Sequence, residues 1–162
     1  WDYLRADRER FNRYFSFCIV RNPWDRLLSA YTFLSKGGNA DTDRDLSIEI
    51  NNSCKNFSDF VLNWLSFEKI YSIKLLNPQY IYIQSEHTGK IMISKLLRYE
   101  NLQNDFEYVR KVLKLTDSLS WLNSSGRRKY QDFYNPELIK KVEYFYSTDI
   151  QLLGYTFNQD AL

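Results

Sequence analysis

The sequence predicts a layered α/β domain in which a buried strand leads directly into a helix. After a helix at residues 3–14, the apolar run Phe15–Val20 has the length and composition of a buried strand. Residues 23–35 follow it with the apolar spacing of a helix. The 162 residues, of which 44% are apolar, are the size of one ordinary domain. We therefore interpret 1–162 as a single domain.

The helix at residues 23–35 has the clearest start signal in the chain. Asn22 is suited to the N-cap, Pro23 to the first helical position and Asp25 to the first turn. After this helix, residues 36–55 are polar and lack a clear period. They are predicted to form a long surface loop, which in a compact domain usually has a role such as edging a site.

The later part of the chain alternates between helix-like and strand-like segments. In order, we expect a helix from Phe57, a hairpin or meander from Tyr80–Ile83 and Ile91–Ile93, a helix over 104–115, and a last helix beginning at 135–137. Arg98 and Glu100 lie two apart on a predicted strand and are interpreted mainly as an ion pair on one face. The predicted order is α-β-α-loop-α-ββ-α-loop-α.

Composition argues against several classes of protein. A net charge of +2, from 22 basic and 20 acidic residues, gives no reason to expect a nucleic-acid surface. No apolar run reaches the roughly 18 residues of a membrane span, so membrane anchoring is not visible in the sequence. One histidine and two cysteines give no zinc-site spacing, and no metal is predicted. His87 lies in a polar turn, where it needs no catalytic role.

The junction between the first strand and its helix is the best candidate for an anion site. Arg21 follows the strand, at the edge where α/β proteins usually bind ligands, and its planar fork of donors matches phosphate oxygens. Ser29 lies away from the apolar stripe of the helix, about 10 Å along the axis from Asn22. A phosphate beside the helix can therefore contact both. From the residues alone, a capped helix with an exposed serine and a strand-end arginine paired to a carboxylate is equally acceptable.

A longer motif around these residues resembles a known family. Arg-Asn-Pro-Trp-Asp-Arg-Leu-Leu-Ser-Ala-Tyr, residues Arg21–Tyr31, is similar to the 3′-phosphate-binding motif of sulfotransferases that use the donor PAPS. The similarity is closest to the carbohydrate branch, which includes Golgi and bacterial family 2 members. It implies that Arg21 and Ser29 hold the 3′-phosphate of PAPS.

The resemblance extends over most of the chain. Blocks at 77–80, 97–102 with Asp105, 144–149 and 153–155 are similar to blocks of the same family. Residues 122–125 with Tyr130 resemble the loop that closes over the nucleotide. This loop, together with the basic run that follows it, implies donor contacts from three more residues, which are Asn123, Ser125 and Arg127.

The family resemblance implies a P-loop-like fold, with a central parallel sheet flanked by helices and its N-terminal portion missing from this chain. It also implies an enzyme that moves a sulfuryl group from PAPS to an acceptor hydroxyl, with a carbohydrate as the expected acceptor and PAP as the product. The chain has no initiator Met. The family's lysine-containing loop and general base are not found before Arg21, so both are expected upstream of Trp1 and no catalytic residue is assigned.

Two alternatives remain open at this stage. A catalytically silent domain that binds PAP or a related nucleotide would keep Arg21 and Ser29 but lack the lysine loop. A P-loop kinase relative would need a Walker-type loop and a magnesium-binding aspartate, and no segment has either signature. The resemblance implies the Golgi lumen for an animal protein and the cytoplasm for a bacterial one.

Overall fold

A computed structural model describes residues 8–117, 119 and 129–158. Its helices and strands follow one another in chain order: α1 (Arg8–Arg13), β1 (Phe17–Val20), α2 (Pro23–Ser35), α3 (Asp41–Ser53), α4 (Phe57–Asp59, continued by a π-helix over Phe60–Trp64), α5 (Phe67–Ser72), α6 (Tyr80–Ile83), β2 (Lys95–Arg98), a 3₁₀ turn (Tyr99–Asn101), α7 (Leu102–Leu113), a second 3₁₀ turn (Tyr130–Phe133), α8 (Pro136–Phe145) and α9 (Ser147–Leu153).

The described residues form two compact units. The first takes the chain up to Arg21 and then the stretch from Gln79 to residue 119. The second takes Asn22–Pro78 and the described residues from 129 onwards. No helix in the described ranges is long and apolar enough to cross a membrane.

The first unit contains a parallel pair of strands. β1 pairs with β2 in a register that runs from Phe17 opposite Lys95 to Val20 opposite Arg98. α7 packs on β2, and Leu97 is fully buried. The parallel pairing and the mixed helix–strand content confirm the predicted α/β class.

The prediction that the first strand is buried is wrong for half of it. Val20 is buried, but Phe17 and Ile19 are 40% and 47% exposed. Alternate strand residues share a face, so these two side chains stand on the same side of β1. Among the described residues β1 pairs only with β2, and its outward face lacks the covering that an apolar run usually has.

The second unit is built around α2. Its apolar stripe includes Trp24, Leu27 and Leu28, each no more than 2% exposed, and α3 packs against the same helix. The helix spans Pro23–Ser35 with Asn22 as its N-cap, as predicted. The tight start signal at Asn22 and Pro23 therefore identified the element correctly.

The predicted long loop at 36–55 is wrong, because α3 occupies Asp41–Ser53. The Asp43 carboxylate accepts hydrogen bonds from the backbone N–H groups of Asn39 and Ala40 at 3.0 and 3.1 Å, which fixes the start of the helix. Only Ser47 and Ile50 are buried along α3. A helix with so narrow a buried stripe gives little periodic signal in its sequence.

The other helix predictions need smaller corrections. Tyr80–Ile83 forms α6 rather than a strand, and only one antiparallel bridge, between Gln84 and Ile91, supports the predicted hairpin. The helix predicted over 104–115 is α7, which begins and ends two residues earlier. Glu100 lies in a 3₁₀ turn after β2 ends at Arg98, so the two do not share a strand face.

Candidate functional site

The start of α2 is fixed by the side chain of Asn22, which is fully buried. Its Oδ1 accepts a hydrogen bond from the Trp24 backbone N–H at 3.1 Å, as an N-cap does. Its Nδ2 donates to the backbone oxygen of Thr156 at 3.0 Å and to the Tyr130 hydroxyl at 3.2 Å. Because both ends of the amide are bound, Asn22 ties the helix start to distant parts of the second unit.

Two tyrosines, Tyr130 and Tyr134, support this helix start. The Tyr134 hydroxyl donates to the Trp24 backbone oxygen at 2.7 Å, and the Tyr130 hydroxyl donates to the backbone oxygen of Phe157. Tyr130, Tyr134 and Phe157 also pack edge to face. Their hydroxyls are therefore used in holding the second unit together.

Arg21, in the first unit, follows β1 and has its backbone held by one side chain. The Gln79 Oε1 accepts a hydrogen bond from the Arg21 N–H at 2.8 Å, and the Gln79 Nε2 donates to the Arg21 carbonyl oxygen at 2.9 Å. Gln79 is 8% exposed. This two-point contact replaces the sheet hydrogen bonds that a longer β1 would have made, and it fixes the direction of the chain at Arg21.

The guanidinium of Arg21 lies over the ring of Tyr99, with 4.2 Å between its Cζ and the ring centroid. Tyr99 directly follows β2, and the Arg98 backbone N–H just before it donates to the Asp105 carboxylate at 2.7 Å. The Asn101 Nδ2 donates to the other oxygen of Asp105 at 3.2 Å. Asp105 therefore fixes the turn that carries Tyr99.

Ser29 lies in the second unit, midway along α2, and is partly exposed. Arg26, one turn earlier, donates through Nη2 to the backbone oxygen of Leu75 at 3.1 Å. Arg26 thus binds a main-chain carbonyl of its own unit. The expectation that Ser29 shares a phosphate with Arg21 stays a prediction.

The remaining predicted donor contacts, Asn123, Ser125 and Arg127, lie outside the described residues. Gln79 and Tyr99 are the residues that sequence reasoning did not assign to the site, although both belong to blocks with family resemblance. A parallel register between the two strands was the missing information, because it places the residues after β1 and β2 at one edge.

A cleft of about 660 Å³ opens in the second unit. Phe33 of α2, Asp43 and Leu46 of α3, and Lys74 and Leu75 after α5 are part of its lining. Phe33 is four residues beyond Ser29, about 6 Å along the helix axis. Asp43 and Leu46 belong to the segment that was predicted as a loop, and the expectation that this segment edges a site stays a prediction.

The described residues contain no group of three or more histidine, cysteine, aspartate or glutamate side chains placed to hold a metal ion. Within the same ranges, Cys18 and Cys54 are both free thiols. Burial raises the pKa of each thiol above its ordinary value. Both cysteines are therefore protonated at neutral pH and are poor nucleophiles.

The fold and these contacts define an α/β protein whose first strand is followed by an arginine with its backbone held by Gln79. The chain belongs to the sulfotransferase family, whose sequence model matches residues 3–156. A protein of Archaeoglobus fulgidus described only as uncharacterized is 25% identical over 115 residues, which cover 71% of this chain and 80% of that protein. No solved structure matches the chain. Family membership makes the protein a transferase and supports sulfuryl transfer from a sulfonate donor to a hydroxyl acceptor.

Proposed function

We propose that this protein is a PAPS-dependent sulfotransferase that sulfates a hydroxyl group of a carbohydrate. The observation that carries the proposal is the mounting of Arg21 at the end of β1, with its backbone held by Gln79. Ligands of α/β proteins gather at the carboxyl ends of parallel strands, where this arginine is displayed. A fixed guanidinium at such an edge suits an oxyanion.

Within this proposal, Arg21 and Ser29 anchor the 3′-phosphate of PAPS. The guanidinium supplies a permanent charge and in-plane N–H donors, and the serine hydroxyl supplies a neutral donor. The start of α2 adds the partial positive charge of a helix N-terminus. Asn22 keeps that helix start in place through three hydrogen bonds of its side chain.

The transfer step itself involves one bond made and one bond broken. The acceptor oxygen attacks the sulfur of PAPS while the bond from sulfur to the bridging phosphate oxygen breaks, and PAP leaves with that oxygen. The acceptor proton passes to a general base. Arg21 and Ser29 contribute by positioning the donor, which is a large share of the acceleration in group transfer.

The carbohydrate acceptor is supported by the motif Arg21–Tyr31, which resembles the carbohydrate branch of the family. A screen of hydroxyl-bearing glycans with radiolabelled PAPS, read as label transferred, tests the acceptor class separately from the donor. Transfer to small phenols or steroids but to no glycan would contradict this part of the proposal.

The donor site is tested by calorimetric titration with 3′,5′-ADP, with 5′-AMP as the ligand that lacks the 3′-phosphate. The wild-type protein should prefer 3′,5′-ADP. Arg21→Ala should lose an arginine–phosphate contact of about 1.5–3 kcal/mol. This loss weakens the binding of 3′,5′-ADP roughly 10- to 150-fold. Binding of 5′-AMP should change little, because that ligand makes no contact through a 3′-phosphate.

Arg44→Ala is the matched control. It removes the same charge from an exposed arginine of α3 whose side chain pairs with the exposed Asp41. It should leave both affinities unchanged. Equal binding of the two nucleotides by wild type, or equal losses in Arg21→Ala and Arg44→Ala, would refute the donor assignment. Preferred binding of 3′,5′-ADP without transfer to any acceptor would favour a silent nucleotide-binding domain.

A further inference from the structure

We propose that Tyr99 is a positioning residue for Arg21, holding the guanidinium so that its N–H edges meet the 3′-phosphate of the nucleotide. This inference rests on the proposed function, because it assigns a role within the donor site. Tyr99 does not contact the phosphate in this scheme. It acts only through the arginine.

The pairing of the two strands brings the residues together. Val20 lies opposite Arg98 at the last paired position of β1 and β2. Arg21 and Tyr99 are the next residues on the two strands, so a parallel register places them side by side at the carboxyl edge. The contact between Arg21 and Tyr99 thus follows from the strand register.

Stacking on Tyr99 and binding of a phosphate use different parts of the arginine side chain. The Cζ of Arg21 lies 4.2 Å from the centroid of the Tyr99 ring, within the range of a cation–π contact. Such a contact uses the flat face of the guanidinium, whereas hydrogen bonds to phosphate run in its plane. One side chain can therefore stack on Tyr99 and bind an oxyanion at the same time.

Both ends of this arrangement are anchored. Gln79 fixes the backbone of Arg21 through two hydrogen bonds, and Asp105 fixes the backbone just before Tyr99 at 2.7 Å. An unrestrained arginine side chain loses much rotamer freedom when it binds a ligand. Stacking on a fixed ring already restricts the arginine before the ligand binds. Less rotamer freedom is then lost on binding, which favours it.

Packing alone explains Tyr99 less well. The residue is 43% exposed, and its neighbours in the turn are not buried. A tyrosine needed only for the core would have its ring covered. We therefore expect substitutions of the ring to change nucleotide binding more than they change stability.

The test compares Tyr99→Leu and Tyr99→Phe in the titration with 3′,5′-ADP and 5′-AMP. Leucine removes the aromatic face and should weaken the binding of 3′,5′-ADP about two- to fivefold, with the affinity for 5′-AMP unchanged. Phenylalanine keeps the face and should bind within about twofold of wild type. The same substitution Tyr99→Leu in an Arg21→Ala background should have no further effect, because the arginine through which it acts is gone.

Tyr108→Leu is the matched control, since Tyr108 is an exposed tyrosine of the same unit that lies beside a different cation, Lys95, at 5.2 Å. It should leave both affinities unchanged. Equal weakening of both nucleotides by Tyr99→Leu, or an undiminished effect without Arg21, would overturn the inference and leave the donor site intact. A wild-type protein without preference for 3′,5′-ADP would refute the proposed function and this inference together.

Discussion

Removing the side-chain amide of Gln79 should cost more stability than its small size suggests. Gln79→Leu keeps the volume and removes both hydrogen bonds to the Arg21 backbone, at 2.8 and 2.9 Å. Each bond contributes about 1 kcal/mol, and the desolvated N–H and C=O of Arg21 lose these two partners, which adds to the loss. We expect the free energy of unfolding to fall by about 2–3 kcal/mol, equivalent to about 4–12 °C in Tm for a chain of this size.

Urea and thermal unfolding measure this loss, and the nucleotide titration measures its consequence. Gln79→Leu should also weaken the binding of 3′,5′-ADP more than that of 5′-AMP, because the backbone of Arg21 loses its two hydrogen bonds to Gln79. Gln103→Leu is the matched control, since the Gln103 Nε2 makes one long hydrogen bond of 3.4 Å to Leu119. Equal stability of the two variants would show that water replaces the Gln79 contacts, and the reasoning about the fixed arginine would be wrong.

Two further predictions concern groups in the second unit. Burial raises the pKa of Tyr146, whose hydroxyl donates to the Leu76 backbone oxygen at 2.8 Å. Tyr146→Phe should cost about 1–3 kcal/mol at neutral pH, and that cost should shrink above pH ~10, where ionisation stabilises unfolded wild type alone. A constant difference between the two unfolding curves up to pH 11 would contradict it. The Lys69 ammonium, 2.6 Å from the half-exposed Glu49, lowers the pKa of that carboxyl. Glu49→Gln should cost about 0.5 kcal/mol at pH 7 and less as pH falls below ~4.3, where the unfolded wild-type chain takes up a proton on Glu49 before the folded protein does. A cost that grows on acidification would refute this interpretation.

Local signals in the sequence were sufficient for some elements. The start of α2 was predicted to the residue, because an asparagine cap followed by proline at the first helical position has few alternative structures. The strand predicted at Tyr80–Ile83 was wrong for the opposite reason, because its local signal is compatible with more than one structure. Its alternating tyrosine and isoleucine residues have high strand propensity, but that propensity depends on context, and here the segment forms one helical turn.

The candidate site was only partly predictable. The position of Arg21 after the first strand followed from the apolar run before it. Its contacts with Gln79 and Tyr99 did not, because they join residues 58 and 78 positions apart and depend on strand register. Register is determined by packing across the whole unit, and a single sequence contains little information about it.

Three hydrogen bonds of the Asn22 side chain also bear on the order in which the second unit assembles. One partner is two residues away, whereas the other two, Tyr130 and Thr156, lie 108 and 134 residues further along the chain. During synthesis the helix cap can therefore form early, but these two contacts of the amide Nδ2 can form only after Tyr130 and Thr156 have been made. Contacts of such long sequence separation slow folding. The stretch around Thr156 is thus one of the last parts to pack onto the start of α2. A protein shortened before Thr156 would keep the helix cap but lose the contact between the Asn22 side chain and this stretch.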